Sequence, residues 1–285
     1  MPGLLRAFDP AGYDLTATCS YPFTNWALRR PALGPRPAHV FVTQNGDWPA
    51  QAKRAEYRFF GCDGLVCINP DYFERNRRSY PSALIPNGVD TARFSPGSDN
   101  RERFGLPRET PLVLMVSALI ESKNVDVGIR AVAGLPKAML VVAGDGPLRD
   151  RMQRLAEEHL PGRYKRISVP ADAMPDLYRS ADVVLHLSRD ESFGNVYTEA
   201  MATGVPIVAY DSPRTRWILG EEAFLAEGVD GASVEDALKR ALRDGGSRKA
   251  ALLDRAKSFA WSRVADQYGD FFESVTAERR RKTAR

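Results

Sequence analysis

The sequence predicts an α/β protein of two domains, the second built as a doubly wound parallel sheet. Three observations predict it. The chain has 285 residues, enough for two cores, since a domain usually takes about 100–200 residues. From about Thr110 onward, short runs of aliphatic and β-branched residues alternate with helical stretches. That is the pattern of a parallel sheet covered on both faces. Between the halves, "IPNGVDTARFSPG" gathers Pro86, Asn87-Gly88, Pro96 and Gly97, which marks a linker. A boundary at Ser95 gives domains 1–95 and 96–262, with 263–285 left as a closing helix and a basic tail.

In the first and smaller domain, "YDLTATCS" (Tyr13–Ser20), "HVFVTQN" (His39–Asn45) and "GLVCIN" (Gly64–Asn69) read as strands. "FTNWALRR" (Phe23–Arg30) and "WPAQAKRAEYRFFG" (Trp48–Gly61) read as helices. In the second domain "PLVLMVS" (Pro111–Ser117) is the first strand and "NVDVGIRAVAGL" the helix after it. "AMLVVAG" and "LRDRMQRLAEE" repeat the unit. "RISV" and "DVVLHLS" are further strands around the short helix "MPDLYRSA", followed by the strands "PIVAY" and "AFLAE". "SVEDALKRALRD" and "WSRVADQYGDFFESV" close the chain as helices, the last carrying Val264, Tyr268, Phe271, Phe272 and Val275 at helical spacing.

Composition excludes several classes. Hydrophobic residues are 44% and charged residues 27%, ordinary for a globular protein. The net charge of +4 sits in the tail "ERRRKTAR": setting aside its five basic residues and one acidic residue leaves 35 of each sign. A neutral body lacks the basic face of a nucleic-acid binder, so no nucleic acid is expected. The tail is a solvated end or a peripheral contact for an anionic membrane surface. Cys19, Cys62 and Cys67 form no metal spacing and read as reduced residues of a cytoplasmic protein. No run of 18 apolar residues is present to span a membrane, and "MPGLLRAFDPAGYD" reads as neither basic enough nor apolar enough for a signal peptide. His39 and His186 lie inside apolar runs and read as core or rim residues, while His159 suits a helix end. The tryptophans read as packing residues, with Trp48 beside Asn45-Gly46 the exception.

In open sheets of this kind ligands bind beyond the carboxyl ends of the strands. Lys123 follows the strand ending at Ser117, "GDGP" (Gly144–Pro147) follows the next, and Glu191 follows "DVVLHLS". By itself "GDGP" is also common turn chemistry. In "ESFGNVYTE" seven residues separate Glu191 from Glu199. Gly194 permits a tight approach, a helix begins near Asn195, and Glu199 lies one turn inside it. N–H groups at a helix start favour anions, phosphate above all. Two carboxylates beside such a site suit a phosphate carried on a polyol, a ribose or a sugar, whose hydroxyls can donate to them.

"ESFGNVYTE" followed by "AMATGVPIVAYDSP" resembles the Glu-x7-Glu motif of retaining glycosyltransferases of the GT-B fold, in particular glycosyltransferase family 4, the glycosyl transferases group 1. "LIPNGVDTARFSP" resembles the linker that opens that family's second domain. "VSALIESKNVDVGIRAV" resembles its first strand and loop, and "VVAGDGPLRDRM" its second. The four matches run in order from Ile85 to Asp211. The GT-B fold implies two Rossmann-like domains.

The resemblance implies a nucleotide-diphosphate sugar as donor and a glycan, lipid or small molecule as acceptor, with no metal and no cofactor. Glu199 would bond the ribose and Glu191 the donor sugar. Phe193, Gly194, Asn195 and Val196 would present backbone groups to phosphate and sugar, with Gly144 in the neighbouring donor loop. Lys123 would neutralise charge growing on the departing diphosphate, where a fixed cation supplies several kcal/mol. The family's crossover implies that the last helix returns to the first domain. Asn45 and Gly46 fall where many relatives carry His-Gly, which makes Asn45, Gly46 and Trp48 the acceptor-side candidates; Asn45 reads equally as a turn residue, and an amide is no base.

Two departures stand out. Ala118 replaces an arginine that usually partners the lysine, and Lys alone does not reproduce a guanidinium; Arg189 or a first-domain arginine is the candidate to compensate. Some ninety residues precede the linker, so the family's Gly-rich opening units are expected to be missing and the first domain incomplete. Two further readings stand beside the transferase. One is a nucleotide-sugar-binding module that turns over only with a missing segment or a partner. The other is a nucleotide-sugar epimerase on the same fold.

Overall fold

The computed structural model describes residues 2–19, 22–29, 36–228 and 230–283. They form two compact units, Met1–Asn87 with Ser262–Arg285, and Gly88–Trp261. Each has its own parallel sheet.

The first unit runs α1 (Pro2–Ala7), β1 (Leu15–Thr18), α2 (Pro22–Leu28), β2 (Ala38–Val42), α3 (Trp48–Gln51), β3 (Gly64–Cys67), α4 (Pro70–Asn76) and β4 (Ser82–Leu84). Its four strands pair in sequence order, all parallel. Val40 and Val66 face one layer of the core, and Phe41, Leu65 and Cys67 face the other, as a side-chain period of two requires. Asn69 caps α4 by accepting from Tyr72 N at 2.8 Å, with Pro70 at the first helical position.

The helix expected over Trp48–Gly61 is a correction. Only α3 forms, Ala52 is already extended, and a single 3-10 turn follows at Ala55–Tyr57. The aromatic residues of this stretch are held from a loop instead. Trp48 packs edge-on against Tyr57, and Phe60 against Phe41 and Tyr80. Ser20 and Arg30, the ends of the first expected strand and helix, lie outside the described residues.

The second unit runs β5 (Leu112–Val116), α5 (Val125–Ala133), β6 (Met139–Ala143), α6 (Arg149–His159), β7 (Tyr164–Ile167), α7 (Met174–Arg179), β8 (Val183–His186), α8 (Asn195–Thr203), β9 (Ile207–Tyr210), α9 (Pro213–Leu219), β10 (Phe224–Ala226), α10 (Gly231–Asp244) and α11 (Lys249–Lys257). Its six strands lie in the order β10-β9-β8-β5-β6-β7, every neighbouring pair parallel. The central strands are buried along their length, save Val116 at the end of β5, hence their continuous apolar sequences. The chain winds one way from β5 and the other way from β8, so the switch point lies between those two strands.

Gly88–Ser95 belong to this second unit, so the division falls at Asn87/Gly88 rather than at Ser95. The reason is local pairing. Val89 N donates to Phe259 O at 2.8 Å, and Phe94 lies edge-on to Tyr178. Behind the strands Arg101, 7% exposed, bonds Ser180 O, Thr110 O and Asp182, which fastens the entry to β5 and β8.

The last helix, α12 (Trp261–Thr283), packs on the first sheet. Val264 and Val275 are buried with Ala38, Val40, Val66 and Ile85, and Tyr268, Phe271 and Phe272 lie against them. From Ser262 onward the chain therefore groups with the first unit and not as a separate segment. Arg280 pairs with Asp14, and Lys282 with Glu278. None of the described helices is long and apolar enough to cross a membrane.

Candidate functional site

The crevice outside the carboxyl ends of β5 and β8 is where an open sheet of this order binds ligands. The turn after β5 is held against the turn after β6. Ser117 N donates to Ala143 O at 3.0 Å, Leu119 N to Asp145 O at 2.9 Å, and Leu148 N to Leu119 O at 3.0 Å. Gly144 makes this approach possible, because a Cβ there would sit 1.9 Å from the Ser117 carbonyl oxygen. Ala118 is exposed at the top of the turn.

A 3-10 turn over Glu121–Lys123 leads into Asn124, which has a left-handed backbone (φ 51°, ψ 41°). Asparagine tolerates that conformation. Its side-chain Nδ2 donates to Leu187 O at 2.8 Å, tying the turn to the end of β8. Lys123 is thereby placed over β8. Its ammonium contacts the Glu191 carboxylate and donates to Ser188 Oγ at 3.2 Å. His186 Nε2, at the end of β8, lies 3.1 Å from the same Glu191 oxygen. Burial pushes the Glu191 carboxyl up, but the His186 and Lys123 bonds and charges outweigh it and hold it down at about 2. Glu191 is thus a fixed anion between two cationic or donor groups.

Three residues later Gly194 (φ 91°, ψ 69°) starts α8 in a conformation that favours glycine. No side chain caps the helix there. Phe193 anchors the turn, its ring edge-on to Trp217 and Phe259. Asn195 is exposed and Val196 partly buried. One turn in, Glu199 Oε2 accepts from the Tyr178 hydroxyl at 2.6 Å. Burial raises the Glu199 carboxyl, against the opposing effects of Tyr178 and Arg93. The Tyr197 hydroxyl is buried with no partner among the described residues, its ring edge-on to His186.

Of the residues expected from the sequence, the structure brings Lys123 and Glu191 into direct contact and gives Glu199 a partner of its own. Arg189 is exposed and lies over the Tyr210 ring, 5.1 Å from its centroid. In the other unit, Asn45 Nδ2 donates to Cys19 O at 3.1 Å, and Trp48 Nε1 to Asn45 O at 3.0 Å across Gly46. His186, Ser188, Tyr178 and Tyr197 were not anticipated as site residues. The one signal for His186 is its place at the end of a central strand, five residues before Glu191. Among the described residues no group of three His, Cys, Asp or Glu is placed to hold a metal ion.

Residues 98–258 match the family described as glycosyl transferases group 1, and the chain belongs to that family. A D-inositol 3-phosphate glycosyltransferase from Xylanimonas cellulosilytica is 34% identical over 242 residues, 76% of this chain and 58% of the relative. A GDP-mannose-dependent alpha-(1-6)-phosphatidylinositol monomannoside mannosyltransferase from Mycolicibacterium smegmatis is 34% identical over 226 residues, 70% of this chain and 58% of the relative. The chain thus spans little more than half the length of these relatives. Among solved structures, a sucrose-phosphate synthase from Thermosynechococcus elongatus superposes with a TM-score of 0.81 at 22% identity, covering 97% of this chain and 78% of the other. Anabaena HepE in complex with UDP and glucose superposes with a TM-score of 0.74 at 19% identity, covering 96% and 80%. These likenesses show the GT-B fold.

Proposed function

We propose that this chain binds a nucleotide-diphosphate sugar outside the carboxyl ends of β5 and β8 and serves transfer of the sugar, with retention, to an acceptor hydroxyl. The reading places it in glycosyltransferase family 4. The observation that carries it is the pairing of Lys123, His186 and Glu191 across the switch point, with Glu199 one turn beyond Gly194. Such a set offers a cation for phosphate, an ionised carboxylate for sugar hydroxyls, and a second carboxylate for a ribose.

In the reaction the bond from the anomeric carbon to the phosphate oxygen breaks, and a bond to the acceptor oxygen forms on the same face. Because retention puts both oxygens on one face, the departing phosphate oxygen is the nearest base for the acceptor proton. Lys123 would steady the negative charge on the leaving diphosphate. Glu191, ionised throughout, would steady positive charge at the anomeric carbon. It cannot act as the acid.

The acceptor class suggested by the relatives' names is a polyol, glycolipid or glycan hydroxyl. The mannosyltransferase relative's name and the ligand of a solved neighbour suggest GDP- or UDP-sugars as donors. Three free thiols suit a cytoplasmic setting. The test is calorimetric titration with UDP, GDP and ADP and their sugars. Glu199→Ala should weaken the preferred free nucleoside diphosphate about 10- to 150-fold, the loss of one charge-assisted hydrogen bond. No binding of any of the three diphosphates would overturn the reading.

A further inference from the structure

We infer that Tyr178 is a positioning residue of the nucleotide site, its buried hydroxyl fixing the Glu199 carboxylate in the orientation that receives a ribose diol. The inference rests on the reading of Glu199 as the ribose acceptor. Tyr178 lies on α7, is 0% exposed, and is braced edge-on by Phe94 at 5.9 Å. Its hydroxyl donates to Glu199 Oε2 at 2.6 Å, within the range of about 2.5–2.7 Å for a hydroxyl bonded to a carboxylate anion. A hydroxyl buried this deeply needs a partner, and a rigid ring cannot choose among several. The partner is therefore held as firmly as the donor.

The consequence for a ligand is geometric. A carboxylate has about four lone-pair sites, and Tyr178 uses one of them. Oε1 and the remaining site on Oε2 can still accept both hydroxyls of a vicinal diol. A free glutamate would have to order its side chain on binding, which costs conformational freedom. Tyr178 removes part of that cost beforehand.

It also biases the charge. Burial favours the neutral acid at Glu199, and two groups oppose it, the Tyr178 hydroxyl from α7 and the Arg93 guanidinium from the segment before β5. The neutral acid accepts a diol less well. Glu199 is raised in the folded protein, so diol binding is present above its folded pKa and lost as pH falls through it. Removing the hydroxyl raises that point further, and the acidic loss of affinity then begins at a higher pH.

The experiment titrates UDP and GDP against the intact protein, Tyr178→Phe, Glu199→Ala and the double variant, from pH 5 to 8. The ligand's own phosphate ionisation is common to all four and cancels in the comparison. Tyr178→Phe should weaken the tighter diphosphate about 5- to 20-fold at pH 7. Its acidic limb should move upward, and the substitution should cost nothing further in the Glu199→Ala background. An equal loss in both backgrounds, or an unmoved limb, reduces Tyr178 to packing and overturns the inference. If Glu199→Ala alone leaves affinity unchanged, the ribose reading itself falls, and the inference with it. Should Tyr178→Phe fail to fold, 3-fluorotyrosine placed at position 178 keeps the shape and donates more strongly. The limb must then move downward, and an upward or absent shift overturns the proposal.

Discussion

Lys123 and Glu191 meet across the switch point, one leaving the turn after β5 and the other the loop after β8. The contact pairs the cation suited to a diphosphate with the carboxylate suited to a sugar. Ser188 and His186 add a second bond to each partner. In the proposed function a donor phosphate has to take the ammonium from Glu191, so the two side chains trade one another for the ligand.

That exchange separates binding from rate. Glu191→Gln keeps the shape and removes the charge that competes for Lys123. Affinity for free nucleoside diphosphate should stay level or rise up to about threefold, while sugar transfer falls about 10²- to 10³-fold, as for the loss of one preorganised group at the reacting centre. Calorimetry with the free diphosphate and initial rates with the intact donor check it. A matching drop in both would sink the division of labour.

Glu191 also sets an expectation for the pH profile. Held at about 2 by His186 and Lys123, its carboxyl stays ionised from pH 4 to 8, and its stabilising contribution is present above the unfolded carboxyl pKa of about 4.3. It is lost only as pH falls toward 2. Any acidic limb in transfer near pH 5–6 should therefore survive Glu191→Gln. Its disappearance in that variant would contradict the assignment.

Asn124 should be the most sensitive residue outside the charged set. Its left-handed backbone costs a non-glycine residue about 1–2 kcal/mol when the side chain gives no local compensation, and its bond to Leu187 O adds about 0.5–1.5 kcal/mol. Asn124→Ala should destabilise the second unit by roughly 1.5–3.5 kcal/mol. Asn124→Gly should cost only the hydrogen bond, and both should weaken diphosphate binding through Lys123. Urea unfolding of the two variants gives the comparison, and equal losses would show that the backbone conformation carries no strain.

Much of this was legible in the sequence. Continuous apolar runs located the central strands β5, β6 and β8 within a residue or two, because strands buried on both faces have no alternation to blur them. Glu191, Lys123 and Gly194 could be placed because they follow such strands. The edge strand β7 (YKRI) is only partly buried, and its sequence expectation, "RISV", is displaced by two residues. The stretch Trp48–Gly61 misled because its aromatic spacing serves contacts with neighbouring loops and strands, not a helix face. His186 and Tyr178 stayed hidden for another reason. A buried polar side chain such as His186 inside an apolar run, or Tyr178 on the short helix "MPDLYRSA", looks like packing until the partner across the fold is known, and Glu199 is 21 residues from Tyr178. Nor did the pattern reveal the helix α11, which buries only Leu252 and Ala256.

Tyr197 carries a buried hydroxyl without a partner among the described residues. Leaving such a group unsatisfied costs about 1–3 kcal/mol. Tyr197→Phe should therefore be neutral or stabilising by up to that amount, with Glu191 and His186 undisturbed. Thermal and urea unfolding read it out. A clear destabilisation would mean that the hydroxyl has a partner in solution.

The first unit should weaken in mild acid because of His39. Burial, chiefly, lowers its pKa to about 3, with Arg29 and Arg36 adding to the effect and Asp63 opposing it. The ring is satisfied as the neutral form. Thr16 Oγ1, donating toward Ala38 O at 3.4 Å, can accept from Nδ1–H at 2.8 Å, while Thr18 donates to Nε2 at 3.1 Å. Protonation would put two donors on the Thr18 contact. An unfolded histidine titrates near 6.5, so between that value and 3 the unfolded chain holds the extra proton, and stability falls as pH falls. From pH 7 to 5 the loss should be about 2 kcal/mol, a window in which unfolded carboxylates hardly titrate. Urea unfolding of the first unit at the two pH values measures it. His39→Gln, weaker at pH 7, should lose that pH dependence, and an equal slope in the variant would show that another group carries the acid sensitivity.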